Sequence, residues 1–108
     1  MRFLTWIPAL FLASVAAYAF ADTPQVALAV QSHRFVPSEV QIPAGAEIEL
    51  LVRNQDTTPS EFESTELHRE KVVIPGGQIS VFVGPLEPGR YEFFDDFHPQ
   101  TRGQLVVK

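Results

Sequence analysis

Residues 85–95 read PLEPGRYEFFD, a turn rich in proline and glycine followed by a stretch that carries three aromatic side chains. Similar short apolar stretches recur along the chain, at residues 25–31, 46–53, 71–74, 79–83, 90–95 and 104–107. Turn residues separate them, as in Pro43-Ala44-Gly45 and Pro75-Gly76-Gly77. Strands at about ten-residue spacing, punctuated by Pro and Gly, are typical of a sandwich or barrel. The sequence therefore predicts an all-β fold, a Greek-key β-sandwich.

Alternation within these stretches predicts which side chains face the core, because successive residues of a strand point to opposite faces of its sheet. The predicted inward set is Val26, Leu28, Leu50, Val52, Phe82, Tyr91, Phe93, Leu105 and Val107.

Residues 1–21 have the features of a secretory signal peptide. Arg2 precedes an apolar run from Phe3 to Tyr18, and Ala19-Phe20-Ala21 offers a small-x-small cleavage site. We expect cleavage after Ala21, with cleavage after Ala19 as the alternative. The run is short for a membrane span. The sequence thus predicts a periplasmic protein with one domain, residues 22–108, that is not embedded in the membrane.

Composition limits the partners and the metal chemistry. The chain has no cysteine, so it has no disulfide and no thiolate ligand. Its formal net charge is −5, and removal of Arg2 with the signal peptide would make it more acidic. Nucleic acid and anionic membranes are poor partners for such a surface. A cation or a basic partner patch fits it better.

Residues 93–99, FFDDFHP, place two carboxylates and one imidazole between bulky rings. Polar groups in such surroundings are costly unless they have a partner, and a cation satisfies several acceptors at once. Asp96 and His98 share one face if the strand continues, whereas a turn after Asp95 changes that.

Two further polar patterns lie upstream. Glu61 and Glu63 share one face if residues 60–64 are extended, with Phe62 pointing to the core. Glu66, His68 and Glu70 occupy alternate positions. Taken singly, each pattern also fits a solvated face, a turn or an exposed histidine, and His33 reads as a surface residue at a strand end.

The order of motifs along residues 22–108 resembles a cupredoxin-like domain. The motifs are Phe35-x-Pro37, Pro43-Ala44-Gly45, Asn54-x-Asp56, Pro75-Gly76, Leu86-x-Pro88-Gly89-x-Tyr91 and Gly103-x-Leu105-Val106-Val107. In blue-copper members the ligands are histidine, cysteine, histidine and methionine. Here the cysteine position falls near Asp95, His98 stays in the loop, and no methionine follows. The upstream histidine position falls in the region of Glu61 to Glu63.

The combination of Glu61-Phe62-Glu63-Ser64 with FFDDFHP is similar to the cupredoxin-like domain of EfeO-type iron-uptake proteins. It is closer still to the small periplasmic cupredoxin-like component of bacterial ferrous-iron uptake systems. This resemblance implies an inner-membrane iron permease and other periplasmic iron-uptake components as partners. It also implies a role in Fe(II) oxidation with copper assisting.

The residue types agree with this implied metal chemistry. Carboxylates with an imidazole suit iron, or Cu(II) in an N,O site, and they do not form a blue type 1 copper site. We expect a metal site of Glu61, Glu63, Asp95 and His98, with Asp96 and His68 as supporting or second-site ligands. Phe62, Phe94 and Phe97 would shield it. The predicted function is periplasmic binding of iron and/or copper for ferrous-iron uptake. The alternatives are a copper-binding chaperone or storage protein and a metal-free docking module.

Overall fold

The computed structural model describes residues 23–108, and the predicted signal peptide lies outside the described residues. Residues 23–108 form nine strands. They are β1 (Gln25–Gln31), β2 (Arg34–Val36), β3 (Glu39–Ile42), β4 (Ile48–Asn54), β5 (Ser60–Ser64), β6 (Arg69–Val73), β7 (Gln78–Val83), β8 (Gly89–Asp95) and β9 (His98–Val107).

The strands form two mixed sheets. One has the order β2-β1-β4-β7 and the other the order β3-β9-β8-β5-β6. The pairs β1/β4 and β3/β9 are parallel, and the remaining pairs are antiparallel. The predicted all-β sandwich is confirmed. Among residues 23–108 there is no helix long and apolar enough to cross a membrane.

The core lies between the sheets and has an aromatic centre. The Phe62 and Phe93 rings stack with centroids 5.2 Å apart, and Phe35 meets Phe93 edge-on at 4.8 Å. Six of the nine predicted inward residues are buried: Leu28, Leu50, Val52, Phe93, Leu105 and Val107. Val26 and Tyr91 are partly buried and pack against this core.

The prediction for Phe82 was wrong, because this side chain is 46% exposed. In the β4–β7 pairing, Val83 lies opposite Ile48 and Val81 opposite Leu50, so the odd-numbered residues of β7 face the core. The alternation of β7 leaves open which of its two sets of residues faces the core, and the register of the sheet decides it.

The hairpin of β8 and β9 positions the polar residues of FFDDFHP. Asp95 ends β8 and His98 begins β9, so the turn consists of Asp96 and Phe97. The β8–β9 register shifts between Phe94 and Asp95, which places Asp95 opposite His98. The sequence left open whether the strand continues past Asp95 or turns there. The structure shows the turn.

Candidate metal centre

The outer face of β5 carries two carboxylates. Phe62 is buried on the core side, so Glu61 and Glu63 point to the opposite face of the sheet. Glu63 pairs directly with Glu70 on the neighbouring strand β6. Carboxylate oxygens of Glu61, Glu63 and Glu70 all lie within 4.8 Å of one another. We call these three residues the acidic cluster.

The electrostatics of the acidic cluster oppose full ionisation. A side-chain hydrogen bond with Glu70, burial and the charges of Glu70, Asp96 and Glu63 raise the pKa of Glu61 to about 7. Burial, followed by the charges of Asp96 and Glu70, also raises the pKa of Glu63. A hydrogen bond between two carboxyl groups requires a proton on one of them. A bound cation can replace that proton and, like it, relieve the repulsion between the carboxylates.

Asp96 borders the acidic cluster. Its backbone N–H donates to the carbonyl oxygen of Glu61 at 3.0 Å, which fixes the β8–β9 turn against β5. The Asp96 residue is exposed, and its charge contributes to the raised pKa values of Glu61 and Glu63. Asp96 is therefore a neighbour of the cluster, and its negative charge adds to the repulsion among the carboxylates.

Asp95 has a different environment. It lies opposite Phe62 in the β5–β8 pairing and is fully buried. Its Oδ1 accepts hydrogen bonds from the N–H groups of Glu61 at 2.9 Å and Phe97 at 3.0 Å, and its Oδ2 lies 2.9 Å from Nδ1 of His98. Burial alone would raise the pKa of Asp95, but these hydrogen bonds hold it below its ordinary value. Asp95 is thus an ionised group that orients His98.

Ser60 begins β5 beside Asp95. Its Oγ is buried and makes no hydrogen bond within residues 23–108. The Asp95 carboxylate is thus held by two backbone N–H groups and by His98, and not by Ser60.

The predicted site residues fall into two groups. Glu61 and Glu63 join the acidic cluster, whereas Asp95 and His98 form a hydrogen-bonded pair. Among residues 23–108, the acidic cluster is the one set of three His, Cys, Asp or Glu ligand atoms that lie within 4.8 Å of one another. His68 is exposed in the turn between Ser64, the last residue of β5, and β6. It belongs to neither group.

The predicted aromatic shield is uneven. Phe62 is buried in the core, Phe94 is half-buried on the outer face, and Phe97 is 46% exposed. The Arg102 guanidinium lies 5.2 Å from the centroid of the Phe94 ring and forms an ion pair with Glu92. Water therefore has access to the turn at Phe97.

Two candidate residues are not indicated by the sequence. Glu70 is one of three alternating polar residues, but only the β5–β6 register shows that it faces Glu63. His33 is predicted as a surface residue, yet its ring centroid lies 4.3 Å from that of His98. The two histidines lie far apart in the chain, and no local pattern links them.

The ligand atoms limit the chemistry of this region. The acidic cluster offers oxygen atoms alone, which suit hard and borderline ions such as iron. A blue copper site does not fit, because the chain has no cysteine and both oxygens of Asp95 already accept hydrogen bonds.

Comparisons with known proteins agree with the observed fold. Residues 2–107 match the profile of the cupredoxin-like domain family. An uncharacterized protein of Rickettsia prowazekii (strain Madrid E) is 42% identical over 83 residues, which are 77% of this chain and 66% of that relative. The chain thus spans slightly less than two thirds of this relative's length.

Solved structures show the same architecture. The metal-binding domain of the Cu(I)-exporting P-type ATPase CopA of Streptococcus pneumoniae D39 superposes with a TM-score of 0.69 at 16% identity, over 78% of this chain and 84% of that one. Amicyanin from Paracoccus versutus gives 0.62 at 21% identity, over 82% and 83%. At these identities the likeness concerns the fold alone. With the family profile covering nearly the whole sequence, the chain belongs to the cupredoxin-like domain family.

Proposed function

We propose that this chain is a periplasmic metal-binding protein of ferrous-iron uptake. In this role the acidic cluster binds an iron ion, and the protein passes the ion to an inner-membrane permease together with other periplasmic components. The observation that carries the proposal is the acidic cluster, in which three carboxylates meet on one sheet face with a raised pKa at Glu61. The predicted signal peptide and the resemblance of the Glu-Phe-Glu motif to iron-uptake proteins support it.

The donor set favours iron over a soft ion. Glu61, Glu63 and Glu70 supply oxygen donors, with Asp96 beside them, and oxygen donors suit Fe(II) and Fe(III) better than Cu(I). The site lies on an outer sheet face, and Glu70 is exposed there. An ion held at an open position exchanges more readily than one in a closed structural site. Ready exchange suits a protein that hands its ion to a partner.

Asp95 and His98 form a second group of the proposed site, outside the acidic cluster, in which Asp95 positions His98. Asp95 holds His98 by its Nδ1 atom, so that Nε2 is the ring nitrogen that remains for a ligand. Assistance to Fe(II) oxidation is the enzymatic role that the family resemblance implies. Oxygen uptake by the iron-loaded protein tests that role separately from iron binding.

A copper-binding chaperone or storage protein is the second candidate. It is favoured by the copper proteins among the structural neighbours, including the Cu(I)-bound domain of the copper exporter. This candidate predicts copper sensitivity of a deletion strain with iron uptake intact. A metal-free docking module predicts no metal binding at all.

Uptake of radioactive Fe(II) in a deletion strain tests the proposed function. We expect impaired uptake that is restored by the wild-type gene and not by a Glu61→Gln/Glu63→Gln variant. Glu47→Gln is the matched control, because Glu47 is exposed on the turn before β4. Unchanged uptake in the deletion strain, with and without added copper, would exclude the iron-transport role.

A further inference from the structure

The β1–β2 turn and the start of β9 bring two imidazole rings together. The ring centroids of His33 and His98 lie 4.3 Å apart, and the ring planes are inclined by 41°. The hydroxyl of Thr101 donates a hydrogen bond of 2.6 Å to the carbonyl oxygen of His33, which ties the turn to β9. The ring pair therefore joins one element from each sheet.

Each ring has a carboxylate on its Nδ1 side. His98 Nδ1 lies 2.9 Å from Oδ2 of Asp95, and His33 Nδ1 lies 3.7 Å from Oδ2 of Asp56. At 2.9 Å the Asp95 carboxylate favours the His98 tautomer with the proton on Nδ1, which leaves the lone pair on Nε2, an arrangement that supports metal-bound histidines in proteins. The 3.7 Å between His33 and Asp56 is an ion-pair distance and too long for a hydrogen bond, so it leaves the His33 tautomer free.

The turn that carries His33 is held in place before any ion binds. Ser32 and His33 have φ values of 52° and 55°, in the left-handed region that non-glycine residues rarely adopt. Asp56 stabilises this conformation by accepting both backbone N–H groups, at 2.6 Å from Ser32 and 2.9 Å from His33. Positive φ at both residues is the geometry of a two-residue type I′ hairpin turn, so the hairpin fixes the backbone that carries the His33 ring.

The ring separation fits two ligands on adjacent positions of one ion. An ion bound by both Nε2 atoms, at a metal–nitrogen distance of about 2.0–2.1 Å, would lie about 3.2 Å from each imidazole centroid. Two centroids 4.3 Å apart then subtend an angle of about 85° at the ion. Adjacent ligands of a tetragonal Cu(II) centre enclose a similar angle.

We infer that His33 and His98 form a two-imidazole site for one borderline divalent cation of the Cu(II) type, separate from the acidic cluster. The site deepens the proposed function, because His98 belongs to the residues proposed there and His33 gives it a second nitrogen donor. Water completes the coordination, since the His33 side chain is 51% exposed and that of His98 32% exposed.

Titration of the purified protein with Cu(II) alone tests this site. His33→Asn is the informative variant, because asparagine tolerates the left-handed conformation and removes the imidazole. His68→Asn is its matched control, since His68 has the same φ of 55° in an exposed turn. We expect the control to bind like the wild type and His33→Asn to bind at least ~10-fold more weakly.

Nitrogen coupling in the electron paramagnetic resonance spectrum counts the imidazoles. We expect two coupled nitrogens in the wild type and in His68→Asn, and one in His33→Asn. An unchanged count and affinity in His33→Asn would overturn the site. Titration of the wild type with Zn(II) needs no variant. The ring proton resonances of His33 and His98 should shift together at one equivalent while those of His68 stay in place, and separate shifts would contradict the inference.

Two variants, each measured for its Cu(II) spectrum and for iron uptake, distinguish failure of the histidine site from failure of the acidic cluster. A Glu61→Gln/Glu63→Gln variant should keep the two-nitrogen Cu(II) spectrum. If this variant also restores iron uptake fully, the acidic cluster fails as the iron site and the histidine site stands. If His33→Asn keeps the two-nitrogen spectrum while Glu61→Gln/Glu63→Gln abolishes uptake, the histidine site fails and the iron role stands.

Discussion

Asp95 and His98 face each other across the β8–β9 turn, with 2.9 Å between Oδ2 and Nδ1. Asp95 is fully buried, and its other oxygen accepts the N–H groups of Glu61 and Phe97. One carboxylate therefore connects β5, the turn and the start of β9. In the sequence Asp95 reads as a metal ligand, whereas in the structure its hydrogen bonds give it a positioning role as well.

We predict that Asp95→Asn destabilises the domain by about 2–3 kcal/mol, because it removes the buried negative charge that accepts these hydrogen bonds and places an NH₂ donor against Nδ1 of His98. Urea unfolding followed by circular dichroism measures the change. Asp96→Asn is the control, since Asp96 is exposed and surface changes stay within about 0.5 kcal/mol. Equal free energies of unfolding for both variants would contradict the structural role of Asp95.

The stability of the metal-free protein should fall as the pH rises from about 5 to about 8. The raised pKa values of Glu61 and Glu63 mean that the folded state binds more protons than the unfolded state in this window. Their contribution is therefore present below the unfolded-state pKa and is lost as the pH passes about 7.

Asp95 acts in the opposite direction. Its pKa is lowered, so its contribution is present above the unfolded-state pKa and is lost in acid. The stability maximum should lie in mild acid, and a melting-temperature series across pH locates it. Glu61→Gln should flatten the decline toward alkaline pH, and a decline that is equally steep in this variant would refute the assignment.

The strands could be predicted from the sequence because their signals are local. Proline, glycine and alternating apolar residues delimit β1, β4, β7 and β8 to within about two residues. The short strands β2 and β3, which flank Pro37 and Ser38, carry too few residues for a visible alternation. The early start of β9 at His98 was missed because residues 98–103 are mostly polar.

The composition of the candidate site depends on non-local geometry. The shared face of Glu61 and Glu63 follows from the strand period alone. Glu70 joins them through the β5–β6 register, and His33 meets His98 through the packing of two sheets. A single sequence carries no signal for either contact.

Metal binding to the acidic cluster should release protons. Below about pH 7, Glu61 is mostly protonated, so Fe(II) affinity should fall by up to about 10-fold per pH unit. Anaerobic titration calorimetry in two buffers with different ionisation enthalpies counts the released protons.

Removal of any one carboxylate of the acidic cluster should weaken Fe(II) binding by at least ~10-fold, as tested with Glu61→Gln, Glu63→Gln and Glu70→Gln. Glu47→Gln, the control, should not weaken it. Equal affinities for all four variants would exclude the cluster as the iron site.

Gly103 should not tolerate a side chain. A Cβ built at this position meets the Phe93 ring and lies 2.8 Å from the carbonyl oxygen of Ser38. Phe93 is fully buried between Phe35 and Phe62, so it cannot move aside cheaply. We predict that Gly103→Ala costs about 1–3 kcal/mol of stability through overpacking, measured by urea unfolding. Stability equal to that of the wild type would show that the core around Phe93 has room for an added methyl group.

Copper-loaded protein should be pale. The intense blue absorption near ~600 nm requires a cysteine thiolate bound to Cu(II), and this chain has no cysteine. Its nitrogen donors are imidazoles and its oxygen donors carboxylates, which form tetragonal Cu(II) centres with weak visible bands. Visible absorption and electron paramagnetic resonance of the Cu(II)-loaded protein measure both properties, and we expect wide copper hyperfine splitting. An intense band with narrow splitting would overturn the ligand assignment, because neither imidazole nor carboxylate ligands produce it.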